Sequence, residues 1–409
     1  MYFNLEEWGV NMKFKKSLAL LLAGGLVAGM LAGCGGKSKT AGTDGEKDLP
    51  IIKIATQTPL SGGSAAIGEV IKLGAQLALD DQKEKFKELG FELQLVPFDD
   101  QADPKKGVAN AQLIGADKSI FAVVGHFNSG VAIPSSEVYE KYSIPMVSPA
   151  NSATEVTDRG LKTVNRIVAR DDSQGPAGAD YAVNTLGAKK IFIVQDKTAY
   201  GTGLAKAFEK GAEEAGAEIL GFEGITLGEK DFNGVLNQIL SKKPDLVYFG
   251  GIYAEGGLLI KQAREKGIDI PIMGGDGLDS STLVEIAGDA IKNTYITTLA
   301  GDPAESEAGK EFMERYKEIN NRDAEAYSVY GYDTMGVVLK GIENAITANN
   351  NKLPSREQVR DAVRGIKDYQ GVLTTVSFDD IGDNEYAKVF IFNYKEASYP
   401  PQLEGEVEN

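Results

Sequence analysis

The segment Ile120-Phe121-Ala122-Val123-Val124-Gly125-His126-Phe127-Asn128-Ser129-Gly130 decides the fold. Its first five residues are apolar without a break and stop at a glycine. So short and continuous a run fits a strand buried on both faces, as in a parallel sheet covered by helices. Residues 131–142 then repeat apolar side chains at helical spacing, and Pro145-Met146-Val147 reads as the next strand. Outward in both directions the alternation continues. Residues 51–56 and 91–98 read as strands, and residues 69–89 (with Val70, Leu73 and Leu77) and 105–114 as helices. After a break near Arg170 the rhythm restarts. Strands are expected at 191–194, 246–249 and 270–273, and helices at 177–186, 203–215, 232–240 and 255–266. A strand at 295–299 precedes helices at 306–319 and 327–348. Two such runs predict an α/β protein of two doubly wound parallel-sheet lobes. Because helices return after residue 298, the first lobe regains chain from the C-terminal third. Crossings near Arg170, Ala300 and Val376 give a three-segment hinge. The N-terminal lobe is then 51–170 with 301–376, and the C-terminal lobe 171–300 with 377–409.

The 409 residues suffice for two cores at ~150 residues per domain. With 43 Lys and Arg against 59 Asp and Glu, the formal charge is −16. A chain this acidic is a poor partner for nucleic acid, whose phosphates need a basic face. Anionic lipid headgroups would repel it as well. The single cysteine, Cys34, excludes a disulfide scaffold, a thiolate zinc site and an iron–sulfur cluster. The single histidine, His126, excludes two-His metal motifs and leaves little for imidazole acid–base chemistry. No metal or cofactor is expected, and the composition favours a binder over an enzyme. The rival, a hydrolase on a doubly wound fold, lacks a nucleophile elbow near His126, which reads as a structural residue at a strand end. The pairs Asp99-Asp100 and Asp171-Asp172 suit loop and helix starts as well as catalysis. Gly201-Thr202-Gly203-Leu204-Ala205-Lys206 lacks the third glycine of a dinucleotide fingerprint, and the Gly309-Lys310 stretch lacks the other residues of a phosphate loop.

At the N-terminus, Lys13, Lys15 and Lys16 precede an apolar run over 18–32 that Gly24, Gly25 and Gly29 interrupt. This is short and broken for a membrane span but fits a secretory signal peptide over 1–33, with Met12 the better start. The end, Leu31-Ala32-Gly33-Cys34, resembles the lipobox of bacterial lipoproteins, in which the cysteine carries the lipid. A buried structural cysteine is the alternative. Residues 34–50, rich in Gly, Ser and Thr, read as a flexible tether. The body is thus expected outside the cytoplasm, lipid-anchored at Cys34 to the outer face of the cytoplasmic membrane.

In doubly wound sheets, ligands sit beyond the carboxyl ends of strands. The loops there, 59–68, 125–130, 148–154, 196–203, 250–257 and 274–282, are rich in Gly, Ser and Asn and predict one cleft between two lobes. Several segments carry a resemblance. They are Pro59-Leu60-Ser61-Gly62, Phe98-Asp99-Asp100, Asp103-Pro104, Val124-Gly125-His126, Ser148-Pro149-Ala150, Asp172-Ser173-Gln174-Gly175-Pro176, and Asp196-Lys197 with Tyr200-Gly201-Thr202-Gly203. Further on come Gly228-Glu229-Lys230-Asp231-Phe232, Tyr248-Phe249-Gly250-Gly251, and Tyr327 with Tyr332-Asp333. In this order they resemble the leucine/isoleucine/valine-binding proteins, the type I periplasmic binding proteins of branched-chain amino-acid ABC importers.

That resemblance implies a set of site residues. Ser129 and Ser152, helped by the Ala150 backbone, match the positions that hold the ligand α-carboxylate; capping of helices is their other reading. Asp276 matches the carboxylate that meets the α-ammonium, with a cap role, or Asp279 as the binder, left open. Tyr200 matches a tyrosine that touches the ligand backbone, and Tyr327 an aromatic side-chain wall; plain packing accounts for either. Ile67 and Ile252 stand where the family carries pocket tyrosines, with Tyr253 displaced by one, so the pocket is expected to be more aliphatic. The implied function is an extracytoplasmic solute receptor that binds a branched-chain or related amino acid in an interlobe cleft and docks on an ABC permease with its ATPase subunits. A sensing module of the same fold, for amides or short carboxylates and with a separate signalling partner, is the alternative.

Overall fold

The computed structural model describes residues 49–407. The signal peptide and lipid site read at 1–33 and Cys34, and the tether up to residue 48, lie outside the described residues.

Five strands and four helices alternate first: β1 (Ile51–Thr58), α1 (Ala65–Glu88), β2 (Glu92–Asp99), α2 (Pro104–Ala116), β3 (Ile120–Gly125), α3 (Ser129–Lys141), β4 (Met146–Ser148), α4 (Glu155–Asp158) and β5 (Val164–Arg166). The strands form an all-parallel sheet in the order β2-β1-β3-β4-β5. Every residue of β3 is buried, as its unbroken apolar run requires.

The chain then crosses to a second sheet. It contains α5 (Asp171–Asp180), β6 (Lys190–Gln195), α6 (Ala199–Glu214), β7 (Glu218–Gly224), α7 (Asn233–Lys242), β8 (Leu246–Gly250), α8 (Tyr253–Glu265), β9 (Ile272–Gly274), α9 (Ser281–Ala287) and β10 (Thr294–Thr298). Strands β7-β6-β8-β9-β10 are parallel neighbours. Helix α5 starts six residues earlier than the sequence pattern suggests, with Asp171 and Asp172 in its first turn, where carboxylates suit the helix dipole.

After β10 the chain returns through α10 (Glu307–Asn320), α11 (Ala326–Ala348) and α12 (Arg356–Arg364). Helix α11 lies on α1 so closely that the two touch backbone to backbone. A Cβ at Gly74 would meet the Ser328 carbonyl at 1.8 Å, and one at Gly331 would meet the Ile71 carbonyl at 2.2 Å. A small antiparallel pair follows, β11 (Tyr369–Gln370) with β12 (Thr375–Val376). The chain crosses a third time and ends as an antiparallel hairpin, β13 (Val389–Tyr394) and β14 (Gln402–Val407), whose β13 pairs with β10. The second sheet is therefore seven-stranded and mixed, a parallel core with an antiparallel edge.

Both sheets place their first strand between the second and the third, so the winding reverses beside β1 and again beside β6. These switch points open a crevice past the strand ends. The first and third crossings are tied together there. Buried Arg166, which ends β5, donates through Nε to Asp383, through Nη1 to the carbonyls of Asn151 (3.0 Å) and Ala153 (2.9 Å), and through Nη2 to Thr157. Its backbone N–H bonds the Gly382 carbonyl at 2.9 Å, so the stretch preceding β13 is held against β5.

Candidate ligand-binding site

A cavity of about 540 Å³ lies at both switch points, within the range of small-molecule sites. Its walls are the segments just past strand ends: Gly63 and Ser64 after β1, Phe127 and Asn128 after β3, Ala150 after β4, residues 196–198 after β6, Ile252 after β8, and Asp276 after β9.

One wall is the start of α3. Asn128 precedes the helix in extended conformation (φ −87°, ψ 122°) without capping it through its side chain, and its buried Oδ1 has no partner. The first N–H groups of α3, at Ser129 and Gly130, have no acceptor within the helix and, together with the helix dipole, suit an anion. The neighbouring turn, residues 148–153, is fixed by two side chains. Ser148 Oγ accepts from Ala150 N at 3.2 Å and from Asn151 N at 2.7 Å. Asn151 Oδ1 accepts from His126 N at 3.0 Å, and its Nδ2 donates to the Phe127 carbonyl at 2.8 Å. This staples the loops after β3 and β4 to each other. His126 itself is fully buried, with Nδ1 3.1 Å from Asp100 Oδ2 and Nε2 3.3 Å from Tyr139 OH. It stands in the core of the first sheet and is not on the cavity wall.

The facing wall carries Asp276, the first residue of a 3-10 turn and 4 % exposed. Its Oδ1 accepts from Gln174 Nε2 at 3.0 Å and Tyr200 OH at 2.8 Å, and its Oδ2 from Tyr327 OH at 2.8 Å. Burial pushes the Asp276 pKa upward, and the Tyr327, Tyr200 and Gln174 hydrogen bonds oppose that shift. Tyr200 is placed by the α6 cap, in which Thr198 Oγ1 accepts from Gly201 N at 2.9 Å. Its hydroxyl also accepts from Gly277 N at 2.9 Å, which aims it at Asp276. Further acids line the cavity. Asp196 is pushed up to about 6 by burial, and Glu255 accepts from Gly228 N at 2.8 Å through Oε1 while its buried Oε2 has no partner. Lys197 is the base among the wall residues. The arrangement suits a ligand that is anionic at the α3 end and cationic at the Asp276 end.

Of the residues singled out from the sequence, Ser129, Ala150, Tyr200, Ile252 and Asp276 share this cavity. Ser152, Tyr327 and Ile67 do not reach its wall. Ser152 is fully buried behind the 148–153 turn, and its Oγ has no partner. Tyr327 packs edge-to-face on Phe127 at 5.5 Å and bonds Asp276 from behind. Ile67 is buried within α1. Tyr253, next to Ile252, places its hydroxyl at the backbone of Ala66 and Ile67, and burial pushes its pKa up to about 12. Asp279 is turned away from the cavity and accepts from Tyr399 OH at 3.0 Å. Sequence reasoning passed over Gln174, Asn128, Asp196 and Glu255 as site residues. Position past a strand end marks all but Gln174, which lies on α5.

A family described as periplasmic binding protein matches residues 51–395 of the chain. The Leu/Ile/Val-binding protein BraC3 of Rhizobium johnstonii is 37% identical over 332 residues, 81% of this chain and 88% of its own. Among solved structures, the leucine-binding protein LivK of Thermotoga maritima superposes with a TM-score of 0.78 at 29% identity, covering 87% of this chain and 99% of its own. LivJ of Streptococcus pneumoniae, the branched-chain amino acid transporter substrate-binding protein in complex with isoleucine, matches with the same TM-score at 25% identity, covering 87% of this chain and 100% of its own. With two doubly wound sheets, a cavity at their switch points and matches that run nearly the length of both chains, this protein belongs to the periplasmic binding proteins, among the Leu/Ile/Val-binding proteins.

Proposed function

We propose that the protein is the extracytoplasmic receptor of an ABC importer and binds a zwitterionic amino acid, branched-chain or related, in the cavity between its lobes. One observation carries this reading: a single cavity holds a helix start with Ser129 and Ala150 on one side and the buried carboxyl of Asp276 on the other. An α-carboxylate fits the first and an α-ammonium the second, with Tyr200 beside it and Ser152 and Tyr327 supporting from behind. Ile252, with Leu227 and Phe127, supplies apolar wall for the side chain, while Ile67 backs it from α1. The names of the relatives point the same way, since they describe Leu/Ile/Val-binding proteins.

In this reading the lobes are the two sheets with their helices, and the hinge is the three crossings. We place the third crossing between Asn384 and Val389, because Asp383 and Asn384 still bond residues beside β5. Closure presents a combined surface to a membrane permease with its ATPase subunits, and lipid on Cys34 keeps the receptor at the outer face of the membrane. The protein performs no chemistry on its ligand.

The energetics suffice. Hydrogen bonds to charged groups contribute roughly 1.5–3 kcal/mol each, and burying a leucine-sized side chain roughly 1.5–3 kcal/mol. Less the cost of ordering and closure, several such contributions leave about −8 kcal/mol, or micromolar affinity. Calorimetric titration with the twenty amino acids, acetamide and short carboxylates tests this. Micromolar binding of Leu, Ile or Val is expected. Binding of acetamide or a simple carboxylate alone would refute the ammonium role of Asp276.

A further inference from the structure

A second buried carboxyl feels the charge of Asp276, and its surroundings are the opposite of those of Asp276. Asp171 opens α5 just past the first crossing and is 2 % exposed. Neither of its carboxyl oxygens has a hydrogen-bond partner. Its backbone N–H donates to the Ser152 carbonyl at 2.8 Å. The Ser152 hydroxyl is near enough to hold the carboxyl's pKa down, yet Ser152 Oγ completes no hydrogen bond.

The charged and titratable groups facing Asp171 are Arg166 of β5, Asp172 of its own helix, Asp276 after β9, Tyr200 of α6 and Tyr248 of β8. Arg166 is the cation among them, but it is engaged by Asp383, Thr157 and the carbonyls of Asn151 and Ala153. Asp172 is held by Arg170 at 2.8 Å. A buried carboxylate with no donor costs several kcal/mol, which a neutral carboxyl avoids. Asp276, by contrast, has three donors aimed at its oxygens. Two neighbouring carboxyls in such unequal surroundings divide the roles of acid and anion. Burial, the largest cause, together with the Asp276 charge, raises the Asp171 pKa to about 8.

We propose that Asp171 is the second acid of the ammonium subsite: it holds a proton in the free protein and loses it to solvent when a ligand ammonium docks on Asp276. The incoming positive charge offsets both carboxylates. The Ser152 hydroxyl then donates to the Asp171 anion, so Ser152 supports the subsite from behind the wall. No bond other than O–H breaks, and one proton leaves for each ligand bound. The inference rests on the reading of the cavity as an amino-acid site.

Titration calorimetry in buffers of different ionisation enthalpy, at pH 7 and with whichever amino acid binds, counts the protons released. Close to one is expected for the wild type and close to none for Asp171→Asn. Between pH 5.5 and 7.5 wild-type affinity should rise by up to about tenfold per pH unit, and that of Asp171→Asn should stay flat. Binding without proton release by the wild type, which needs no variant to be stable, overturns the inference alone. So does release of about one proton that persists in Asp171→Asn. No binding of any amino acid overturns the reading of the cavity and this inference with it.

Discussion

Asp276→Asn removes a charge from the site and changes little else. The carboxyl is 4 % exposed and receives Gln174 and Tyr200 on Oδ1 and Tyr327 on Oδ2. An asparagine keeps an acceptor at Oδ1 and sets an amino group where Oδ2 was, and the Tyr327 hydroxyl can turn to accept from it. The rearranged hydrogen bond costs about 1 kcal/mol. Against that stands the removal of a buried anion. Burial raises the folded pKa of Asp276 above the ordinary aspartate range. A group whose folded pKa is raised contributes stability at low pH that is lost as pH climbs towards the folded value. The variant carries no such loss. Free Asp276→Asn should therefore melt no lower than the wild type at pH 7. Ligand binding should suffer the reverse. Breaking a buried ion pair from one side costs about 3–5 kcal/mol, or roughly a hundredfold to several-thousandfold in affinity. Calorimetry gives the affinity, and melting curves with and without saturating ligand give the stability. A dissociation constant within tenfold of wild type would refute the ammonium role. A fall in the free protein's melting temperature of more than about 5 °C, or ~2 kcal/mol in a domain this size, would show that Asp276 is a structural acid instead.

Arg166→Met should destabilise the free protein by about 3–5 kcal/mol, because it leaves the carbonyls of Asn151 and Ala153 unpaired and Asp383 with Arg170 and the Thr157 hydroxyl only. The melting temperature reads this, and a shift under about 2 °C would mean that water replaces the guanidinium without cost. Ser281→Ala removes the hydroxyl that bonds Glu325 Oε1 at 2.9 Å, a contact from α9 to the start of α11 that is not part of the cavity wall. If this contact favours the closed form, apparent affinity should fall about tenfold, as expected for one hydrogen bond to a charged group. The scattering radius of the free protein should rise as well; unchanged affinity and radius would show that the contact is incidental.

The parallel strands were legible because burial on both faces leaves an unbroken apolar run, as in β3 and β8. Where burial is incomplete, the same logic is silent. Strand β7 is half-buried along most of its length at the sheet edge, and β14 alternates between exposed and half-buried positions. Strand β5 holds only Val164, Asn165 and Arg166, and its two polar residues are buried because their partners are Arg364 and Asp383, far along the chain. The site divides in the same way. The doubly wound pattern places the loops just past strand ends, and the resemblance singles out Ser129, Ala150 and Asp276 within them. Tyr327 reads as an aromatic wall, and only the fold shows that its hydroxyl meets a carboxylate 51 positions away. Gln174 falls within the Asp172–Pro176 motif and Asp171 within an acidic pair, but their roles depend on where the first crossing sets α5 against the second sheet.

In the proposed reading, the hydrogen bonds to Asp276 would also couple occupancy to closure. Gln174 comes from α5, just past the first crossing, and Tyr200 from α6 of the second sheet. Tyr327 comes from α11, which packs on α1 beside the first sheet. Two donors are thus present whenever the second sheet is folded, and the third arrives only when α11 meets the loop after β9. An open form would leave Oδ2 to water, where a carboxylate has little need of an ammonium. Closure replaces that water with one tyrosine hydroxyl and makes the remaining charge expensive to leave unpaired. A ligand shifts the balance only as far as it binds the two forms differently. An ammonium at Asp276 would do so strongly, because a closed form would strip solvent from the acid that the ligand neutralises. A neutral ligand in the same cavity gains apolar contact but does nothing for that acid, so it should close the lobes less completely than a zwitterion of the same size.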